Sequence, residues 1–172
     1  MNKPLYRRIF NRLLHSLARS LPGATTLRPF LHKLRGVKIS GKVFIGDDVY
    51  LENEYPERIE IHDGAQIALR SIIVAHIRGP GSIVIGKNAV IGFGSCIVGA
   101  PGKTLKIGDN SVIGAGSVVT TDIPPDTFCS PDKTKPRGIV TVPLTFDVGF
   151  DEFTAGLRPL SWRSRIREEN ER

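Results

Sequence analysis

The sequence predicts a mainly β protein, a parallel β-solenoid wound as a three-sided prism, preceded by a helical segment and followed by a short extension. Three observations carry that expectation. Aliphatic residues return at every sixth position in four groups of three: Ile39, Ile45, Leu51; Ile61, Ile67, Ile73; Ile85, Ile91, Ile97; and Ile107, Ile113, Val119. The steps between groups are 10, 12 and 10 residues, so the additional residues all fall at one corner of the repeat. Glycine is frequent, at 18 of 172 residues, while aromatic residues make up 7%, which suits many tight corners better than a helical bundle.

The first segment, residues 1–35, reads as a basic amphipathic helical region. Leu5, Ile9, Leu13, Leu14 and Leu17 recur at helical spacing, with Arg7, Arg8, Arg12 and Arg19 around them. Residues 1–38 hold nine Lys or Arg and no acid, whereas residues 39–172 hold 15 basic and 17 acidic side chains. Two roles fit such a helix: capping the end of the prism or packing within an oligomer, or lying on an anionic membrane surface.

Residues 36–137 form the prism. Each six-residue unit is a short strand plus a corner, three units make a coil, and coils stack through parallel strands. The aliphatic residue points inward onto its equivalent one coil away. Two positions earlier stands a residue that fits the narrow corner: Val43, Val49, Ala65, Ser71, Ala89, Ser95, Ser111 or Ser117. One position later glycine is common (Gly46, Gly86, Gly92, Gly108, Gly114), expected to relieve the backbone at the turn. The inserted runs EYPE (54–57), HIRGPG (76–81) and APGK (100–103) line one edge as a column of loops. Residues 138–172 read as an extended piece, a short turn or helix, and a solvated tail.

Composition narrows the function classes. Apolar content of 40% and charged content of 24% are ordinary for a soluble domain. Cys96 and Cys129 have no metal-type spacing and suggest a reducing compartment. Neither a membrane-spanning run nor a signal-peptide layout is expected, which points to the cytoplasm, with the inner face of the membrane as the alternative. The excess charge sits in the N-terminal segment, and the body lacks basic residues interleaved with aromatics, so nucleic acid is not expected as a partner.

The run VKISGKVFIGDDVYLEN…IEIHDGAQI…IIVAH…IVIGKNAVIG…LKIGDNSVIGAGSVVTTDIPPDTF resembles the hexapeptide-repeat acyltransferases, in particular O-acetyltransferases of sugars and surface polysaccharides. The resemblance covers roughly residues 36–137. It implies a left-handed parallel β-helix, a homotrimer with active sites shared between subunits, acetyl-CoA as cosubstrate, no metal, and a glycan or small-molecule acceptor.

His76 opens the longest loop, three residues after Ile73, where a side chain would be presented to a cleft. Histidine suits a general base because its ordinary pKa is about 6.5, and the resemblance implies that role for a histidine at such an edge. Glu54 occupies the equivalent position one coil earlier. Glu54 or Asn53 is expected to orient the imidazole or hold the acceptor, with Arg78 beside it. By resemblance, Gly99, Ala100, Ala115, Gly116 and Thr120 contact the cofactor, and Lys133, Lys135 and Arg137 meet its phosphates. The glycines are also corner residues in their own right. His15, His32 and His62 are expected to be structural or exposed. Rival readings are an N-acetyltransferase acting on an amino sugar, a non-catalytic scaffold, and a metal-dependent carbonic anhydrase. The last would need three zinc-binding histidines, and no histidine follows His76.

Overall fold

The structure, a computed structural model, describes residues 4–77, 79–131, 139–143, 145 and 147–159. The chain divides into two compact units, Met1–Pro131 and Asp132–Arg172. The first opens with helices α1 (Leu5–Ser20) and α2 (Leu27–Arg35). The first coil is β1 (Lys38–Ile39), β2 (Phe44–Ile45) and β3 (Tyr50–Leu51). The second is β4 (Ile59–Ile61), β5 (Gln66–Ile67) and β6 (Ile72–Val74). The third is β7 (Ser82–Ile85), β8 (Val90–Ile91) and β9 (Cys96–Val98). The fourth is β10 (Thr104–Ile107), β11 (Val112–Ile113) and β12 (Val118–Val119), and β13 (Phe128–Cys129) begins another turn. Equivalent strands form three faces, ordered β1-β4-β7-β10, β2-β5-β8-β11-β13 and β3-β6-β9-β12. This is the expected parallel solenoid, of about four turns and consistent with left-handed winding.

The six-residue columns are its core. Ile39, Ile61, Ile85 and Ile107 are partners in successive coils. So are Ile45, Ile67, Ile91, Ile113 and Cys129, and Leu51, Ile73, Ile97 and Val119. Apart from the partly buried Ile39 and Cys129 at the ends, all are buried, each contributing roughly 1.5–3 kcal/mol of apolar transfer energy. The small corner residues are buried as well. Ser71 and Ser95 donate their hydroxyls to the carbonyls of Gly92 and Gly114, each at 3.1 Å, one coil on.

The glycines after the columns do a different job from the one their position suggests. They are not the residues with positive φ; within the coils those include Gly41, Gly64, Asn88, Asn110 and Asp126 at one corner, and Asp48, Arg70, Gly94 and Gly116 at the next. Asn and Asp tolerate this left-handed geometry better than most residues. At the first corner they also bond along the stack, Asn88 Nδ2 to Asn110 Oδ1 at 3.2 Å and Asn110 Nδ2 to Asp126 Oδ1 at 2.9 Å. What the other glycines allow is close approach of coils. A Cβ at Gly46 would lie 2.6 Å from the Leu69 nitrogen, and one at Gly92 2.5 Å from the Ala115 nitrogen.

The N-terminal helices cap the first coil, whose strands would otherwise present an unpaired edge. Ile45 N–H donates to Ala24 O at 2.8 Å and Asp48 N–H to Arg19 O at 3.1 Å. Arg28 donates to Leu21 O and Ile45 O and pairs with Asp47, while Arg19 pairs with Asp48. Arg35, fully buried, donates to Leu51 O at 3.1 Å, Glu52 O at 2.6 Å and Asn53 Oδ1 at 2.7 Å. Leu14, Ala18 and Leu31 form the seam between the helices. In the second unit, β14 (Ile139–Val140) pairs antiparallel with β15 (Leu157–Arg158) across α3 (Phe150–Ala155).

Two histidines are buried in the cap, as structural residues. His15 stands edge-on to Tyr50 and His32, with ring centroids 4.8 and 6.1 Å away. Burial, then the charges of Arg35 and Arg19, lowers the His15 pKa from 6.5 to about 3, against the opposing effects of the Leu51 backbone and then Asp48. Burial, Arg35 and His15 lower His32 in the same direction. A group with a depressed folded pKa leaves stability intact above its unfolded pKa and withdraws it as pH falls below that value. The urea midpoint is therefore expected to fall as pH drops from 7 towards 4. His15→Phe should remove part of that slope, up to about 1.4 kcal/mol per pH unit, as measured by denaturation across that range.

Candidate functional site

The solenoid gathers its irregular segments on the edge that follows β3, β6, β9 and β12. His76 lies there, just beyond β6, with its side chain 35% exposed. The loop it opens is closed by Gly81 N–H donating to Ala75 O at 2.7 Å, and rests on the next loop through Gly102 N–H to Pro80 O at 3.0 Å. The imidazole is therefore held on ordered backbone at a corner.

Its partner is Glu52, which sequence reasoning missed. Glu52 follows Leu51 at the end of β3 and is fully buried, and its Oε2 lies 2.5 Å from His76 Nδ1. The same carboxylate accepts backbone N–H bonds from Glu54 at 2.8 Å, Tyr55 at 3.3 Å and Ala75 at 3.1 Å. Towards all three amides the carboxylate oxygens act as acceptors, and Oε2, which takes the Ala75 N–H, is the one that meets the imidazole. Nδ1 must then carry its hydrogen, and the lone pair of a neutral imidazole lies on Nε2. Tyr55 stands edge-on to the imidazole, with ring centroids 5.6 Å apart.

Both residues expected to orient His76 or hold the acceptor have contacts with the cap. Asn53 Oδ1 accepts from Arg35, and Glu54 pairs with Arg8 at 3.4 Å and Arg12 at 3.9 Å. A carboxylate beside an aliphatic column was the available signal for Glu52, but its partners lie on α2 and on the next coil, which one strand's pattern does not reveal.

Beside His76, an open and mostly apolar groove of about 400 Å³ is lined by Ile77, Val98, Gly99, Ala100, Pro101 and Thr120. Gly99, Ala100 and Thr120 are thus brought together next to the imidazole's loop. Ala115 and Gly116 sit at a different corner, between β11 and β12; Gly116 lines a separate depression with Thr120 and Cys129. Arg78, Lys133, Lys135 and Arg137 lie outside the described residues. His62 is partly exposed and pairs with Glu60 at 2.8 Å. Among the described residues, no group of three or more His, Cys, Asp or Glu side chains is placed to hold a metal ion.

Comparison with solved structures identifies the fold as one seen in acetyltransferases. A maltose O-acetyltransferase from Clostridium difficile 630 superposes with a TM-score of 0.52 at 24% identity, over 74% of this chain and 82% of its own. A galactoside acetyltransferase, solved in complex with coenzyme A, does so with a TM-score of 0.50 at 23% identity, over 73% of this chain and 76% of its own. No protein-family model and no curated protein sequence matches the chain.

The Glu52–His76 contact makes a prediction independent of any activity. Nitrogen-resolved NMR of neutral His76 should show the Nδ1–H tautomer in the native protein. In Glu52→Ala it should shift towards the Nε2–H form that predominates in an unconstrained histidine side chain.

Proposed function

We propose that this protein is an acetyl-CoA-dependent O-acetyltransferase acting on a sugar hydroxyl in cell-surface polysaccharide assembly, with His76 as general base. One observation carries the reading: a buried carboxylate contacts Nδ1 of an edge histidine whose loop neighbour, Ile77, lines an apolar groove. The two solved acetyltransferases of the same fold support it.

Acetyl-CoA supplies the acetyl group as a thioester; transfer forms a sugar ester and releases the coenzyme as its thiol. The groove of Ile77, Val98, Gly99, Ala100 and Thr120 fits a narrow, uncharged acyl-bearing arm, because its walls are small or apolar and run along the stacked loops. Lys133, Lys135 and Arg137 are the residues proposed for the phosphates, Gly116 and Ala115 for the flank of the same ligand, and Arg78 for the acceptor.

Nε2 of His76 takes the proton from the attacking hydroxyl and returns it to the departing sulfur. Glu52 keeps the opposite nitrogen protonated and stabilises the imidazolium that forms between those events. Tyr55 offers a wall against which a sugar ring packs.

The working assembly is a homotrimer, with the groove completed by a neighbouring subunit. The exposed apolar residues Leu69, Ile72, Phe93 and Val118 on and beside the third face support this. Native mass measurement tests it directly.

Release of coenzyme A in the presence of a sugar panel tests the chemistry. His76→Ala should lower kcat by roughly 10²–10⁴-fold, and Glu52→Gln should lower kcat with KM for acetyl-CoA little changed. Turnover that survives His76→Ala at full rate would refute the assignment; absence of turnover with any acceptor in the native protein would favour a scaffold.

A further inference from the structure

The capping helices bury one face and leave another uncovered. On α1 the buried side is Asn11, Leu14, His15 and Ala18, while Tyr6, Ile9, Phe10, Leu13 and Leu17 are 44–74% exposed. Those five recur at helical spacing and form one continuous stripe. On α2, Leu27 and Leu31 face the seam with α1, and Phe30 and Leu34, next to them on the same side of the helix, are 54% and 45% exposed. The two stripes therefore meet along the Leu14–Leu31 seam as one apolar surface. Isolated exposed apolar residues need no account, but seven large ones gathered on two adjoining helices do.

The charge carried by the two helices themselves has one sign. The first acidic residue of the chain is Asp47, so neither helix carries an acid. Arg7 on α1 and Lys33 on α2 are exposed. Arg8 and Arg12 reach Glu54 only at 3.4 and 3.9 Å, with side chains 48% and 68% exposed. Arg28 and Arg35 are buried and contribute to the cap instead.

We propose that this face of α1 and α2 docks the protein on an anionic lipid bilayer. A 16-residue helix spans about 24 Å, and no helix among the described residues is long and apolar enough to cross a membrane. The geometry is that of a helix lying in the interface, apolar side chains among the acyl chains and arginines at the headgroups. The solenoid hangs from its first coil, and Glu54, at the loop-bearing edge, is ion-paired to the docking helix. The inference does not depend on the transferase reading.

Flotation of the full chain with vesicles tests it. The native protein is expected to float with phosphatidylcholine vesicles containing phosphatidylglycerol, to float poorly with phosphatidylcholine alone, and to lose binding as salt is raised. Ile9→Asp with Leu13→Asp should lower vesicle affinity at least roughly tenfold without changing the melting temperature, because both side chains are exposed. A separate variant, Leu13→Trp, should add blue-shifted emission when phosphatidylglycerol vesicles are present. Native protein that stays unbound, undiminished binding by the aspartate variant, or a Leu13→Trp emission unmoved by vesicles would overturn the proposal. So would a drop in oligomer mass in the aspartate variant, which would show that a second copy covers the face.

Discussion

Each inward aliphatic must meet its counterpart one coil away, and that requirement arranges the rest of the molecule. Along Ile39, Ile61, Ile85 and Ile107 the coils are 22, 24 and 22 residues long, more than three six-residue sides use. The surplus cannot be taken up inside a strand, since a one-residue slip would turn every core side chain outward. It is expelled at the corner after the third face, coil after coil. Loops stacked this way support one another, as Pro80 and Gly102 do, so the edge is irregular in conformation yet fixed in position. A rigid scaffold presenting loops is where binding and chemistry concentrate.

Glu52 uses that edge to join two coils. An ionised carboxylate out of contact with water costs several kcal/mol unless its lone pairs are filled. Here they are filled by amides from its own coil, by Ala75 N–H from the next, and by the imidazole. Charge-assisted bonds of this kind contribute about 1.5–3 kcal/mol each, enough to offset the burial only when they are made together. The arrangement holds His76 by the same interactions that make a buried Glu52 tolerable.

How far the chain could be read in advance follows from the range of the interactions. The columns, the three faces and the common corner of the insertions were legible, because a six-residue period is a local consequence of strand and corner geometry. His76 was legible as a loop-edge histidine for the same reason. Glu52 was not, because its partners come from Arg35 on α2 and from Ala75 and His76 one coil on. Glu54, matched to His76 by column arithmetic, also pairs with Arg8 and Arg12 on α1, contacts that no strand pattern announces. The glycines after the columns were misread as turn formers because close approach between coils and positive φ both select glycine. Only the third dimension separates them, and it assigns the turns to residues two positions on, such as Asn88 and Asn110.

The cap and the candidate site are parts of one polar chain. Arg35 can only donate, so its 2.8 Å contact with His32 requires His32 Nδ1 to be the acceptor and the ring to be neutral. That agrees with the depression of the His32 pKa by burial and by Arg35 itself. The other arm of the guanidinium grips the carbonyls of Leu51 and Glu52 and the side chain of Asn53, the stretch that aims the Glu52 carboxylate at His76. A proton on His32 would set two cations against each other at a buried position and release that grip. Keeping the cap histidines neutral is therefore a condition for the backbone around Glu52 to stay where it is, and through Glu52 for the imidazole at the edge to keep one tautomer.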